Sequence, residues 1–289
     1  MISVVQLGTL DYASGLRLQQ KLLDLRKAGE IGDVLLLLEH SPVITLGRNA
    51  KAANVLVSTE VLAARGVEVF ECDRGGDVTF HGPGQLVGYP ILDLRGCSSS
   101  QLSAISFQSH PSRKTLGVVD YIRRLEEVLI RSCADFGIPT KRVAGLTGVW
   151  TDSASNDAHV GTGAPARPGE SKTRPVAEAK IAALGVHISR SVTSHGFALN
   201  VNTDLSYFDL IVPCGIAAKP VTSMQRELGR EIDWNAVAQS VSRHFGNIFG
   251  SQMLWVETVD ALLGHSVGVP LKTPDELRRV RGEDDLFLA

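Results

Sequence analysis

Apolar residues along the chain recur with two different spacings, and each spacing predicts its own kind of element. Leu18, Leu22 and Leu25 repeat at helical spacing behind a capping Asp11, which predicts a helix over residues 12–27. The same signs predict three further helices, at residues 59–65, at residues 118–133 and from Asp233 to about Ile248.

Short apolar runs between turn residues predict strands. Residues 34–38 and 43–46 are interpreted as a strand pair interrupted by His40-Ser41-Pro42. Further strands are predicted at residues 67–72, 85–92, 147–150, 181–187 and 193–201. Helices and strands mix without a regular βαβ period. The pattern therefore favours an α+β class, a mixed α/β sheet flanked by helices, over a Rossmann or barrel fold.

Two segments break the pattern. Residues 97–114 are rich in serine, and residues 152–178 are rich in Gly, Pro, Ala and Ser. Neither carries enough large apolar side chains to offset the entropy of ordering, so both are predicted to be exposed insertions. They interrupt one domain over residues 1–255, and the charged residues 256–289 are predicted to form a C-terminal extension on the surface.

Composition narrows the class of protein. Of 289 residues, 44% are hydrophobic and 21% are charged, which is typical of a globular chain. The net charge of −2 gives no basic face for nucleic acid, and no apolar run is long enough to cross a membrane. The four cysteines Cys72, Cys97, Cys133 and Cys214 form no C-x-x-C pair, so no metal site and no disulfide framework are expected.

A glycine-rich stretch at residues 74–85 is the densest candidate for a binding site. Its glycines allow close backbone approach to a ligand, Arg74 can bind a phosphate or carboxylate, and His81 can transfer protons. A glycine-rich hairpin with a structural histidine explains the composition equally well. The stretch is neither a P-loop nor a dinucleotide fingerprint.

Cys214 and Lys180 are the two candidates for catalytic side chains. Cys214 stands between a proline and a glycine after an apolar run, whereas Cys72 and Cys133 fit packing positions. Lys180 opens an apolar segment, an unusual place for a cation. A buried inert thiol and a snorkelling lysine remain the more frequent interpretations of such residues in isolation. Residues 193–200 add His195 among small residues.

Taken together, five ordered motifs resemble those of the octanoyltransferases of lipoate biosynthesis, also called lipoyl(octanoyl) transferases. The motifs are R-G-G-D-V-T-F-H-G-P-G-Q at 74–85, T-G-V-W at 147–150, K-I-A-A-L-G-V at 180–186, T-S-H-G-F-A-L-N at 193–200 and V-P-C-G-I at 212–216. The resemblance covers roughly residues 4–250, apart from the two insertions, and makes residues 1–255 the catalytic domain.

The resemblance implies the fold of biotin- and lipoate-protein ligases, with an acyl tunnel and without a cofactor or metal. It also implies an acyltransferase that moves an octanoyl group from acyl carrier protein to a lysine of lipoyl domains, in 2-oxoacid dehydrogenase complexes and the glycine-cleavage protein. By analogy Cys214 carries the acyl group as a thioester and Lys180 lowers its pKa. The implied substrate-binding residues are Arg74, Gly75, Gly76, Asp77, Val78, Thr79, Phe80, His81, Ala183, Leu184, Gly185, Gly196, Phe197 and Ala198.

Three alternatives remain open at this stage: an ATP-dependent lipoate-protein ligase, a non-catalytic protein that keeps the fold, and a Cys-dependent thioesterase with His81 or His195 as base. The insertions resemble those of a eukaryotic member and predict a mitochondrial location. Residues 1–10 enter the core pattern without an Arg-rich presequence, so a cytoplasmic location is the alternative for a bacterial chain.

Overall fold

The structure is a computed structural model that describes residues 1–96, 115–152, 178–213 and 219–263. The predicted insertion at residues 97–114, nearly all of the one at 152–178 and most of the C-terminal extension lie outside these ranges. Cys97 and Cys214 also lie outside the described residues.

Eleven strands and six α-helices lie within the described ranges. The strands are β1 Ile2–Leu10, β2 Asp33–His40, β3 Val43–Leu46, β4 Glu68–Glu71, β5 Val78–His81, β6 Gln85–Ile91, β7 Thr140–Val143, β8 Leu146–Thr151, β9 Lys180–Ser189, β10 Val192–Asn200 and β11 Met253–Val256. The helices are α1 Tyr12–Ala28, α2 Thr59–Ala64, α3 Val118–Asp135, α4 Met224–Leu228, α5 Trp234–Phe249 and α6 Val259–Leu262.

These strands form two sheets among the described residues. The larger has eight strands in the order β11-β1-β2-β6-β10-β9-β8-β7, and the smaller has three in the order β4-β3-β5. In the larger sheet β1 pairs in parallel with both β2 and β11, while the other pairs are antiparallel. The expected mixed sheet flanked by helices is therefore confirmed.

The central strand β2 explains how both faces of the larger sheet are covered. Its leucines alternate in direction, as side chains of a strand must. Leu35 and Leu37 join the core formed with α3 and α5, whereas Leu36 and Leu38 join a second core that contains α1. All four are fully buried, so the strand reads as a continuous apolar run instead of an alternating one.

Helix boundaries follow the capping signals in the sequence. The Asp11 side chain accepts a hydrogen bond from the Ser14 N–H and starts α1, and Gly29 ends that helix at a φ of 78°. The Asp233 side chain starts α5 in the same way. The helices predicted at these two caps are confirmed within one or two residues.

The structure corrects the predicted pairing of residues 34–38 with residues 43–46. These runs form β2 and β3, which belong to different sheets, and β3 pairs with β4 and β5 instead. The reason is that the intervening His40-Ser41-Pro42 turns the chain out of the larger sheet and not into a hairpin. Strands β1, β5, β7 and β11 were not predicted; β5 is hidden within the glycine-rich stretch.

The described residues contain neither a membrane-spanning helix nor a metal-binding cluster. None of their helices combines the length and the apolar character that a membrane crossing requires. They also contain no group of three or more His, Cys, Asp or Glu side chains arranged to hold a metal ion.

Candidate active site

A cavity of about 300 Å³ lies between the larger sheet and a roof formed by β5, the loop before it and the start of α1. This volume is at the lower end of the range for small-molecule sites. The floor comes from β6, β9 and β10, whose small side chains Ala183, Gly196 and Ala198 leave the space open. Gly145 and the first two residues of β8, Leu146 and Thr147, line one side.

The predicted substrate-binding residues divide by the direction of their side chains. Gly75, Val78 and Phe80 are not among the cavity-lining residues, and all the other predicted ones are. Alternation along β5 explains the split, because Thr79 and His81 face the cavity while Val78 and Phe80 enter a separate apolar core.

Arg74 has a different role from the anion binding that its residue type predicts. Its guanidinium is only slightly exposed and donates to the Thr45 carbonyl at 2.7 Å, the Asp77 carbonyl at 2.7 Å and the Gly75 carbonyl at 3.1 Å. It also donates to the Thr45 hydroxyl at 2.8 Å. In this structure Arg74 therefore holds the glycine-rich loop in shape from within.

The loop approaches the sheet too closely for a side chain at position 185 of β9. The Gly75 N–H donates to the Val186 carbonyl at 3.1 Å, and a Cβ on Gly185 would lie 2.6 Å from the Gly75 carbonyl oxygen. Gly75 of the motif at 74–85 and Gly185 of the motif at 180–186 therefore allow the backbone of the roof to contact β9.

His81 is held in one tautomer by a chain of hydrogen bonds. The Asn200 amide donates to the Thr222 carbonyl, so its oxygen accepts from Gln85 at 2.9 Å. Gln85 Nε2 is thereby used as a donor, and its oxygen accepts from His81 Nδ1 at 2.7 Å. His81 Nε2 therefore carries no proton. Burial lowers the pKa of His81 to about 3, so the ring stays neutral.

Lys180 is positioned through its backbone and its side chain. Its N–H donates to the Pro220 carbonyl at 2.8 Å, and its carbonyl accepts from Thr222 at 2.9 Å. The ammonium lies 5.3 Å from the centre of the Trp150 ring. Gly148 makes room for the side chain, since a Cβ there would lie 2.5 Å from Lys180 Cε.

Hydrogen-bonded rings line the other end of the cavity, four positions further along β6 than Gln85. The Tyr89 hydroxyl lies 2.6 Å from His40 Nε2, and His195 Nε2 lies 2.7 Å from a carboxylate oxygen of Asp73. We call the part of the cavity around Tyr12, Tyr89 and His195 the tyrosine end. The part around Lys180, Thr79 and Gln85 is the lysine end.

Asp73 accepts from two histidines at the tyrosine end. Its other carboxylate oxygen contacts His187 Nδ1, and the hydrogen bond from His195 is the main cause that lowers the pKa of Asp73. His195 has a φ of 54°, which is uncommon for a residue other than glycine, and the Gln19 side chain accepts a hydrogen bond from its backbone N–H.

Cys214 lies outside the described residues, but its neighbour Pro213 does not. Pro213 lines a small cavity together with Lys180, Gln85 and Asn200, directly beside the larger one. Of the described cysteines, Cys133 is fully buried, and burial raises its pKa to about 12, so its thiol resists ionisation.

Comparison with known proteins identifies the family. A model of the lipoyl protein ligase A/B catalytic domain matches residues 11–246. The octanoyltransferase of Koribacter versatilis is 55% identical over 288 residues, which covers 100% of both chains. The octanoyltransferase of Acidobacterium capsulatum is 53% identical and covers 91% of this chain and 96% of its own. The chain belongs to the octanoyltransferase family.

The predicted enzyme class is thereby confirmed: the chain is an acyltransferase that transfers an octanoyl group in protein lipoylation. Both octanoyltransferases described above are bacterial. They give no support to the mitochondrial expectation and fit the cytoplasmic alternative.

Solved structures confirm the fold. A bipartite lipoate protein ligase from Thermoplasma acidophilum superposes with a TM-score of 0.59 at 14% identity, covering 91% of this chain and 90% of that one. Lipoate-protein ligase A bound with ATP gives a TM-score of 0.58 at 12% identity, covering 91% and 92%. The chain thus has a sequence similar to octanoyltransferases and the same fold as the lipoate-protein ligases.

Some residues that line the octanoyltransferase cavity were missed by sequence reasoning. They are Tyr12, Val87, Tyr89, Gly145, Leu146, Thr147 and, as a binding residue, His195. Val87 and Tyr89 share one face of β6, a signal present in the alternation of that strand. Tyr12 carried no such signal, because its contact depends on how α1 packs against the roof.

Proposed function

We propose that the chain transfers octanoyl groups from acyl carrier protein to a lysine of lipoyl domains through a thioester on Cys214. Lys180 donates a proton in the first step and accepts one in the second. The observation that carries the proposal is that Lys180 and Pro213, the residue joined to Cys214, line the same small cavity beside the acyl-sized one.

In the first step the Cys214 thiolate attacks the carbonyl carbon of the carrier thioester. A new carbon–sulfur bond forms, the bond to the carrier sulfur breaks, and the Lys180 ammonium gives its proton to the departing thiolate. A neighbouring ammonium stabilises the attacking thiolate before this step. Because the donor is already a thioester, the reaction requires no ATP.

In the second step the amine of the target lysine attacks the acyl group on Cys214. The target lysine first loses one proton to solvent, because only a neutral amine can attack. As the amide bond forms and the carbon–sulfur bond breaks, its nitrogen loses a second proton to neutral Lys180, and Cys214 leaves as a thiolate. His81 does not serve as this base, because an imidazole whose pKa is about 3 holds a proton poorly near neutral pH.

The walls of the cavity favour an acyl chain over a polar ligand. Ala183, Phe197 and Ala198 line the floor, and Val87 lies beside them. Burial of each methylene contributes about 0.8 kcal/mol, so an apolar cavity selects medium chains over short ones. The Arg74 guanidinium is bound to the loop, which argues against a phosphate at that position.

Two further assignments belong to the proposal. Residues 1–255 form the catalytic domain, although Val259 of α6 also packs into the core that contains α1. The preferred partners are octanoyl-acyl carrier protein and the lipoyl domains of 2-oxoacid dehydrogenase complexes and of the glycine-cleavage protein. The cytoplasm of a bacterium is the compartment that the relatives favour.

Intact-mass measurement after mixing with octanoyl-acyl carrier protein tests the mechanism. We expect an octanoyl adduct on the wild-type chain, no adduct on Cys214→Ser, and loss of the adduct when apo-lipoyl domain is added. Cys133→Ser is the matched control, since a second thiol change should leave the adduct in place. Loading of free octanoate that needs ATP, without an adduct, would favour the ligase alternative instead.

A further inference from the structure

Tyr89 occupies a position on β6 that is suited to limiting the length of a bound acyl chain. Gln85, Val87 and Tyr89 point to the same face of the strand because side chains alternate. Gln85 lines the small cavity with Lys180, while Val87 and Tyr89 line the larger one. The three residues therefore mark successive levels from the lysine end to the tyrosine end.

The distance between these levels matches an octanoyl chain. Tyr89 lies four positions after Gln85, which at about 3.3 Å per position along a strand is about 13 Å. The seven carbon–carbon bonds of an extended octanoyl group, each about 1.5 Å in a zigzag, reach about 9 Å. The remaining difference of about 4 Å equals one carbon–carbon contact.

The Tyr89 ring is held in place by a buried partner. His40 Nδ1 lies 3.0 Å from the Leu10 carbonyl, which only accepts, so Nδ1 carries the proton and Nε2 accepts from the Tyr89 hydroxyl at 2.6 Å. Both side chains are almost fully buried. Burial lowers the pKa of His40 to about 4 and raises the pKa of Tyr89, so neither group ionises near neutral pH.

His40 is in turn confined by its surroundings. A Cβ on Gly15 of α1 would lie 2.8 Å from His40 Cε1, and the Tyr12 ring lies 5.1 Å from the His40 ring in an edge contact. The ring of Tyr89 meets His195 at an interplanar angle of 86°. A longer chain would have to displace a group that is bonded on one side and packed on the others.

We propose that Tyr89, anchored by His40, is the end wall that sets the acyl-chain length this enzyme accepts. The proposal rests on the proposed function, because it places the acyl carbonyl at the lysine end. Tyr89 is here a specificity-determining residue and His40 a positioning residue, since His40 acts only through the Tyr89 hydroxyl.

Adduct formation on Cys214 with octanoyl-, decanoyl- and dodecanoyl-acyl carrier protein tests this inference. In Tyr89→Ala we expect the rate ratio of decanoyl to octanoyl to rise about tenfold to twentyfold. The reason is that each newly buried methylene changes binding about fourfold. Tyr89→Phe keeps the ring and the packing but frees it from His40, so its ratio should rise by a few fold.

Val87→Ala is the matched control, since it widens the same face of β6 one level earlier without lengthening the cavity. Its octanoyl rate is expected to fall while the decanoyl-to-octanoyl ratio stays at the wild-type value. An unchanged decanoyl-to-octanoyl ratio in both Tyr89 variants overturns the proposal that Tyr89 is the end wall. Absence of any adduct on the wild-type chain counts against the proposed function instead. Tyr89→Phe keeps the test decisive if Tyr89→Ala fails to fold.

Discussion

The two ends of the cavity are built on different principles. At the tyrosine end the side chains are bonded to one another, with Tyr89 joined to His40 and His195 joined to Asp73. At the lysine end Gln85 is also bonded to side chains, but Lys180 itself is held by backbone hydrogen bonds to residues 220 and 222. Its side chain lies along Gly148 and the Trp150 ring.

This difference in how the side chains are held corresponds to a difference in role: the Tyr89 ring must stay fixed, whereas the Lys180 ammonium must exchange protons. A ring that limits chain length works best when its polar atom is satisfied and its partner stays neutral. A lysine that gives and takes protons works best when its position is set by the backbone and its nitrogen faces the cavity. The molecule thus combines a rigid end with a reactive end on one sheet.

Removal of the Lys180 side chain should have the largest effect on the rate of acylation. We expect Lys180→Ala to slow acylation from octanoyl-acyl carrier protein by about 10²- to 10⁴-fold, the usual contribution of a proton-transfer group. The remaining rate should rise at higher pH, because the thiolate then forms without help from an ammonium. Single-turnover acylation followed by intact mass across pH 6–9 measures both effects.

Lys219 provides a matched control for this test. Its ammonium lies 5.2 Å from the same Trp150 ring, and it is paired with Glu178 at 2.5 Å. It is not among the residues that line the cavity. Lys219→Ala should therefore change acylation only slightly. Equal losses in the two variants would show that positive charge near Trp150, and not Lys180 itself, supports the reaction.

A smaller effect is expected when only the position of Lys180 is disturbed. Gly148 has a φ of 135°, and a Cβ there would lie 2.5 Å from Lys180 Cε and 2.9 Å from the Ala182 carbonyl oxygen. We expect Gly148→Ala to lower kcat about tenfold or more and to lower the free energy of unfolding by about 1–3 kcal/mol.

Steady-state kinetics and urea unfolding measure these two quantities on the same preparation. Gly137→Ala is the control, because Gly137 also has a positive φ, 78°, but nothing lies within 4 Å of its added Cβ. Its stability should fall by about 1–2 kcal/mol while kcat stays near the wild-type value. If kcat of Gly148→Ala equals that of Gly137→Ala, the position of Lys180 does not depend on the space that Gly148 leaves.

The comparison also shows how far sequence reasoning reaches. Lys180 and the glycine-rich stretch could be found from motifs, because their residue types are unusual in their surroundings. Tyr89 and His40 could not, since an apolar strand containing a tyrosine is typical of any core. Their meaning depends on a contact across 49 positions of the chain, which only the packing of α1 and β2 against β6 creates.

The dependence on long-range packing also explains which predictions of the fold were wrong. The run at β2 was recognised because Leu35 to Leu38 are all apolar, yet its partner was wrong because local spacing carries no information about which sheet a strand joins. Strand β5 was missed since its glycine-rich flanks resemble a loop. Arg74 was interpreted as an anion site because residue type predicts chemistry, whereas its guanidinium donates to the carbonyls of Gly75 and Asp77 in the loop and of Thr45 on β3.

His40 and His81, two buried rings beside Tyr12, should also make the fold sensitive to mild acid. Burial lowers the pKa of His40 to about 4 and that of His81 to about 3, whereas both titrate near 6.5 when unfolded. Between pH 6.5 and 5.5 the unfolded chain therefore binds protons that the folded chain does not. Stability is present above this window and falls as the pH drops, by about 1 kcal/mol for each histidine across that unit.

Urea unfolding at pH 6.5 and 5.5 measures this loss, with carboxylates still largely ionised in both states. His40→Gln and His81→Gln should each remove about 1 kcal/mol of the pH-dependent change, whatever they do to stability at the higher pH. The difference between the two pH values is the informative quantity, because cavity and packing effects of the substitutions cancel in it. A pH-dependent loss that stays at the wild-type size in both variants would show that these rings take up protons at the same pH in the folded and unfolded chains. The Tyr89 hydroxyl would then have no acceptor on His40 below pH 6.5, and the end wall should loosen in the same range.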